Sequence, residues 1–231
     1  MKSYIMEIND ISNAELNNLL NFISIEKSKK INKFYKKDDK LRSLFGELLL
    51  RYALCNTLNC NNESIKFYID KYGKPYLKDI CKCNFNLSHS GDYVAVIISN
   101  NQCGIDIEKV NPIDYIDIVK VCYTPEEYNY VVNCDEKERI HRFYEVWTLK
   151  ESRVKCSGQG LSLPLKSFSM NIANLYKISS KESYTGIKEP YLYTLKDING
   201  EYKLSLCSKY ERCCSSPIPI EQKNIIHYFD Q

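Results

Sequence analysis

The chain of 231 residues is long enough for one large domain or two small halves packed together, and 44% hydrophobic with 26% charged residues is the composition of an ordered globular protein. A formal net charge of +3 supplies no concentrated basic face of the kind that nucleic acid or a membrane surface calls for. The opening MKSYIMEIND has neither the apolar core nor the cleavage site of a secretion signal, and no later apolar run approaches the ~20 residues that span a bilayer, so a soluble, cytoplasmic protein is expected.

In chain order, Ser3 to Ile8 alternates like a strand, and Ser12 with Glu15 forms a capping box that opens a helix over NAELNNLLNFI. A basic approach from Glu26 to about Asp39 leads into Leu41, Leu44, Phe45, Leu48 and Tyr52, whose helical spacing predicts a core helix. IKFYI reads as a strand, DKYGKPY as a turn and YVAVIIS as a central strand apolar on both faces. The short NNQ connection to CGIDIEKV predicts a hairpin. Thr124, Pro125 and Glu127 open another helix, and a longer one covers about Glu136 to Cys156. SFSMNI, PYLYTL, EYKLSLC and NIIHYF then read as short strands, which makes the chain α+β rather than strictly alternating.

Eleven cysteines in a reducing compartment are expected as thiols. Cys81 with Cys83, and Cys213 with Cys214, lack the two-residue gap of a zinc knuckle.

Asp106 and Glu108 in GIDIE lie two apart on a predicted strand, so both carboxylates leave one face while Ile105 and Ile107 leave the other. Such a pair suits a hard divalent cation; the same alternation also describes an ordinary half-exposed strand. Four-residue steps place Trp147, Glu151 and Lys155 along one helical face, with Lys150 at its margin and Arg153 nearby. That pattern is either a routine Glu-to-Lys surface pair beside a core Trp, or a carboxylate and ammonium set suited to a metal and a polyphosphate. Ser88 and His89 in FNLSHSGD point to opposite faces of a strand and no G-x-S-x-G is present, so they are not a nucleophile and base. With Ser90 and Gly91 they form either a polar turn or a cluster of donors for an anion. His141 and His227 have no such company and read as structural or surface residues. Lys27, Lys29, Lys30, Lys33, Lys36 and Lys37 make a solvated face or a phosphate-binding one, and Phe34 and Tyr35 are too few for a base-stacking platform.

Taken together, FISIEKSKKINKFYKKDDKLRSLFGELLLR, YGKPYL, FNLSHSGDYV, GIDIEKV and FYEVWTLKESRVKCSGQGLSLPL resemble the 4′-phosphopantetheinyl transferases of the larger, surfactin-synthetase-activating type. The resemblance implies transfer of the phosphopantetheine arm of coenzyme A to a serine of an acyl, peptidyl or aryl carrier protein, with release of adenosine 3′,5′-bisphosphate. By that resemblance Asp106, Glu108 and Glu151 are Mg²⁺ ligands, with Mn²⁺ an alternative, and Glu151 and Lys155 are catalytic. Lys150 lies near the pyrophosphate, while Ser88 and His89 contact coenzyme A. Tyr72, Gly73, Lys74 and Pro75 form the adenine-side loop, and Lys27, Lys30, Arg42 and Ser43 hold the nucleotide's phosphates. The implied fold is two similar α/β halves related by a pseudo-twofold axis, here expected as 1–102 and 103–231, with the site at their interface and the chain a monomer.

Three other functions use the same residues. A non-catalytic coenzyme A or nucleotide module would bind without a metal, a metal-dependent phosphohydrolase would cleave coenzyme A without a carrier, and a nucleic-acid binder would show salt-sensitive binding.

Overall fold

A computed structural model of the protein describes residues 1–79, 83–170, 172, 191–210 and 216–230. Its elements run β1 (Lys2–Glu7), α1 (Asn13–Leu19), α2 (Ile25–Asn32), α3 (Lys37–Leu58), β2 (Phe67–Ile69), β3 (Pro75–Leu77), β4 (Asn84–Ser90) and β5 (Tyr93–Ser99). They continue as β6 (Cys103–Lys109), α4 (Ile116–Cys122), α5 (Pro125–Val132), α6 (Glu136–Ser157), β7 (Tyr191–Ile198), β8 (Tyr202–Lys209), β9 (Ile218–Pro219) and α7 (Gln222–Phe229). The capping boxes at Ser12/Glu15 and Thr124/Glu127 are both formed, because each side chain takes an amide that its helix leaves open.

One sheet has the order β4-β5-β1-β9 and the other β6-β8-β7, with β2 and β3 a separate pair. Each sheet places its own first strand beside its last hairpin: β5 pairs antiparallel with β1 and β4, as β8 does with β6 and β7. A 22-residue helix, α3 or α6, lies between the first strand and that hairpin in each case. The succession is therefore repeated, which no sequence repeat announced.

The predicted β5–β6 hairpin does not form. Both edges of β5 are taken by β1 and β4, so β6 has nowhere to add and pairs with β8 instead. Ile105 and Ile107 pack face to face with Ile5, Ala95 and Ile97, which joins the sheets by apolar burial. Two other expected strands also differ. NIIHYF is helical because Ile225 and Phe229, four apart, fill the core beneath α3. In SFSMNI, Leu165–Ser167 make a single tight turn, residues 168–170 form no strand, and Asn171 lies outside the described residues.

β9 and α7 return to the first sheet, where β9 runs parallel to β1. Residues 218–229, expected with the second half, pack on the core of the first. Helix α6 lies directly on β6 at Gly104, where a Cβ would strike the Ser152 carbonyl and the Cys156 amide. Glycine is required there for a helix to reach the strand so closely. The cysteines among the described residues are free thiols, and Cys81, Cys213 and Cys214 lie outside them. Among the described residues no helix is long and apolar enough to cross a membrane.

Candidate active site

The edge strands β4 and β6 meet without a backbone ladder between them. Alternate side chains of β4 take alternate amides of β6: Ile105 N donates to Asn86 Oδ1 at 3.0 Å, Ile107 N to Ser88 Oγ at 3.3 Å and Lys109 N to Ser90 Oγ at 3.1 Å. The period of two that turns these three side chains toward β6 sends His89 the other way, beside Gly46 of α3. On β6, Ile105 and Ile107 enter the inter-sheet core, so Asp106 and Glu108 leave the opposite face.

Those carboxylates meet the hydroxyls of β4 and the ammonium of α6. Ser88 Oγ donates to Asp106 Oδ1 at 3.0 Å and Ser90 Oγ to Glu108 Oε2 at 2.7 Å. Lys155 Nζ reaches Asp106 Oδ1 at 2.7 Å and Ser88 Oγ at 2.9 Å. Asp106, Glu108, Trp147, Glu151, Lys155 and His89 line one cavity of about 330 Å³. The four-residue steps of α6 therefore place Trp147, Glu151 and Lys155 together, and Trp147 stacks on Phe143 behind them at 5.9 Å.

Burial dominates the electrostatics here. It pushes the Asp106 carboxyl up against the opposing pull of Lys155 and Ser88. Burial and then the charge of Asp106 push Glu108 up to about 7. Glu151 is raised by burial and by Asp106. Desolvation by the cavity walls, reinforced by the charges of Lys155, Arg42 and Lys27, holds His89 below the ordinary histidine value. Lys27 is itself lowered by burial, with Lys30 contributing repulsion. A belt of cations thus runs from α2 to α6, with Arg42 hydrogen-bonded to the Gly91 carbonyl and Asp39. Ser43 is buried one residue further on α3.

A second cavity of about 380 Å³ opens on the other side of Glu151 and Lys155, between Tyr72–Pro75 and the Leu163–Leu165 segment. Lys74 borders it, yet its ammonium caps the end of α6, reaching the Lys155 carbonyl at 2.5 Å and the Cys156 carbonyl at 3.4 Å. Those carbonyls have no partner within the helix, and a cation satisfies them.

Lys150 is the predicted site residue that the structure sends elsewhere. It is fully buried, paired with Glu127 at 2.8 Å, and donates to the carbonyls of Leu165 and Phe168. One position before Glu151, it is turned about 100° around the helix, into the protein and away from both cavities that Glu151 lines. Conversely, Asn86 was missed, and Ser90 was read only as part of the polar turn. Their signal was present, because both share the period-two face of Ser88.

The acidic residues bear on a divalent cation in opposing ways. Among the described residues no three His, Cys, Asp or Glu side chains already stand in ligating positions, and Lys155 neutralises Asp106 instead. Two observations fit a cation nonetheless. Asp106 Oδ2 is buried without a hydrogen-bond partner, and Glu108 feels the repulsion of both Asp106 and Glu151. Oxygen donors of this kind suit a hard ion.

The sequence that builds this repeated strand–helix–hairpin succession and its acidic and cationic cleft matches family profiles over most of its length. The profile described as 4′-phosphopantetheinyl transferase, N-terminal, covers residues 10–101, and that of the 4′-phosphopantetheinyl transferase superfamily covers 102–207. A 4′-phosphopantetheinyl transferase of Bacillus subtilis is 35% identical over 88% of this chain and 90% of its own. The transferase Sfp of Bacillus subtilis strain 168 is 34% identical over 87% and 88%, and gsp of Aneurinibacillus migulanus 37% over 87% and 83%. The chain belongs to the 4′-phosphopantetheinyl transferase family and is a transferase enzyme.

Proposed function

We propose that the protein transfers the 4′-phosphopantetheine group of coenzyme A to a serine of an acyl, peptidyl or aryl carrier protein, releasing adenosine 3′,5′-bisphosphate. The observation that carries this reading is the single cavity that Asp106, Glu108, Glu151 and Lys155 line together, with His89 and the belt of cations at its edge. Asp106, Glu108 and Glu151 would hold Mg²⁺ or Mn²⁺, which when bound supplies charge neutralisation to a pyrophosphate.

The carrier serine attacks the phosphorus nearest the pantetheine arm, and the bridging P–O bond breaks toward adenosine 3′,5′-bisphosphate. Glu151 accepts the serine proton; its carboxyl, raised by burial and Asp106, is more basic than an exposed one. Lys155 neutralises charge on the departing phosphate. His89, Lys27, Lys30 and Arg42 hold the nucleotide's phosphates, with Ser43 beside them. Tyr72–Pro75 form the adenine side of the second cavity, and the Lys74 ammonium keeps the end of α6, and hence Lys155, in place.

The carrier docks as a separate chain over residues 111–125, where Ile113 and Val121 are 42% and 72% exposed. Service to peptide-antibiotic synthesis belongs to the same reading, as does action as a cytoplasmic monomer without nucleic acid or membrane. Intact mass of apo carrier proteins after incubation with coenzyme A and Mg²⁺ tests the reading. A gain of one phosphopantetheine arm supports it, and hydrolysed coenzyme A beside an unmodified carrier refutes it.

A further inference from the structure

Ser90 differs from a generic polar turn residue in the use of its one proton. A hydroxyl offers a single O–H and two lone pairs. Lys109 N–H occupies a lone pair at 3.1 Å, and the proton goes to Glu108 Oε2 at 2.7 Å. The same arrangement stands two residues earlier, where Ser88 accepts from Ile107 N and Lys155 Nζ and donates to Asp106. The third rung, Asn86, meets β6 beside Gly104, which has no carboxylate to receive a proton. The two rungs that carry hydroxyls are therefore the two that face acids.

The position of Ser90 is held by more than its own strand. Gly91 follows at φ +52°, where a Cβ would crowd the Tyr202 hydroxyl and the Lys109 side chain. Arg42 Nη1 donates to the Gly91 carbonyl at 2.9 Å. Asp92 N donates to the Tyr202 hydroxyl at 3.1 Å, and that hydroxyl donates to Asp92 Oδ2 at 3.0 Å. Lys109 Nζ pairs with the same carboxylate at 2.9 Å. Elements from both sheets and α3 thus converge on this turn, and a hydroxyl on so constrained a backbone directs its acceptor rather than following it.

We infer that Ser90 is a positioning residue for the cation site, holding Glu108 by one oxygen on the β4 wall as Ser88 holds Asp106. The inference rests on the metal reading given above. Partners that orient ligating carboxylates typically contribute about 10–100-fold in metal affinity, and loss of this one is expected to weaken binding about tenfold.

The test is Mn²⁺ titration of the full-length, metal-free protein, with free Mn²⁺ read by electron paramagnetic resonance and no turnover involved. Ser90→Ala should raise the Mn²⁺ Kd about tenfold, while Ser90→Thr, which keeps the hydroxyl, stays close to wild type. In a Glu108→Gln background, Ser90→Ala should add little, an outcome that a merely structural role for Ser90 does not produce. If Ser90→Ala does not fold, the Thr and Val variants, alike in shape and suited to a strand, carry the same comparison. Wild-type Mn²⁺ affinity in Ser90→Ala beside a weakened Glu108→Gln overturns the inference alone. Wild-type affinity in Glu108→Gln overturns the metal reading and the inference with it.

Discussion

Lys155 Nζ lies 2.7 Å from Asp106 Oδ1, the ammonium side chain 27% exposed and the carboxylate 3% exposed. One partner is open to the cleft and the other is not, so the two ends of the pair are not equivalent. Lys155→Met leaves a buried carboxylate without its counter-ion and should destabilise the metal-free protein by about 2–3 kcal/mol, less than a fully buried pair because Lys155 is partly solvated. Added Mg²⁺ should recover more stability in this variant than in wild type. Asp106→Asn removes the buried charge and should be nearly neutral in stability, yet inactive in transfer. Chemical denaturation with and without chelator, beside carrier modification, checks both.

Glu108 gives a pH dependence with a defined sign. Its carboxyl sits at 4.5 when solvated and about 7 in the fold, so between those values the folded state binds more protons than the unfolded one. Stability is fully present below about 4.5 and is lost as pH rises to about 7, on the order of 2 kcal/mol from this group after solvent is allowed for. Glu108→Gln should lack that loss. The difference in unfolding free energy between variant and wild type, measured in chelator from pH 4.5 to 8, should therefore grow with pH. A flat difference would contradict the burial argument.

How much of this was legible in the sequence follows from the range of each signal. Helix starts at Ser12 and Thr124 and the shared face of Trp147, Glu151 and Lys155 depend on spacings of three and four, and the structure contains them. The facing of Asp106 and Glu108 depends on a period of two and is equally local. Partner choice is not local. Nothing within NNQ says that both edges of β5 are already taken, so the hairpin reading failed there. Lys150 was misplaced for a related reason: the counter-ion that draws it inward, Glu127, lies on another helix.

That buried pair carries the third prediction. Lys150 and Glu127 are both fully buried, and removing one partner of such a pair costs about 3–5 kcal/mol. Lys150→Met should lower the thermal midpoint substantially. At a temperature where the variant remains folded, the KM for coenzyme A should match wild type, whereas a residue touching the pyrophosphate would raise it.

His89 should behave in the opposite way. Its ring lines the cavity of Asp106 and Glu108, whose walls desolvate it in part, and the residue stays open enough to solvent to add little to the core. His89→Ala should leave the unfolding midpoint near wild type and raise the KM for coenzyme A by roughly 10-fold, the loss expected for about 1.4 kcal/mol of binding. An unchanged KM removes His89 from the site.

Glu151 sets stability against function. Burial and the neighbouring charge of Asp106 both disfavour its ionised form, so a negative charge at this position opposes the stability of the metal-free fold. Replacing it with glutamine keeps the shape and removes the repulsion. Glu151→Gln should therefore melt at a higher temperature than wild type in chelator, and gain less from added Mg²⁺. It should transfer no detectable phosphopantetheine to an apo carrier, since the group that takes the serine proton is gone. Differential scanning calorimetry in chelator and intact-mass analysis of the carrier read the two effects separately. A variant that melts lower, or that still modifies the carrier at the wild-type rate, shows that Glu151 is a structural acid and that the proton leaves by another route.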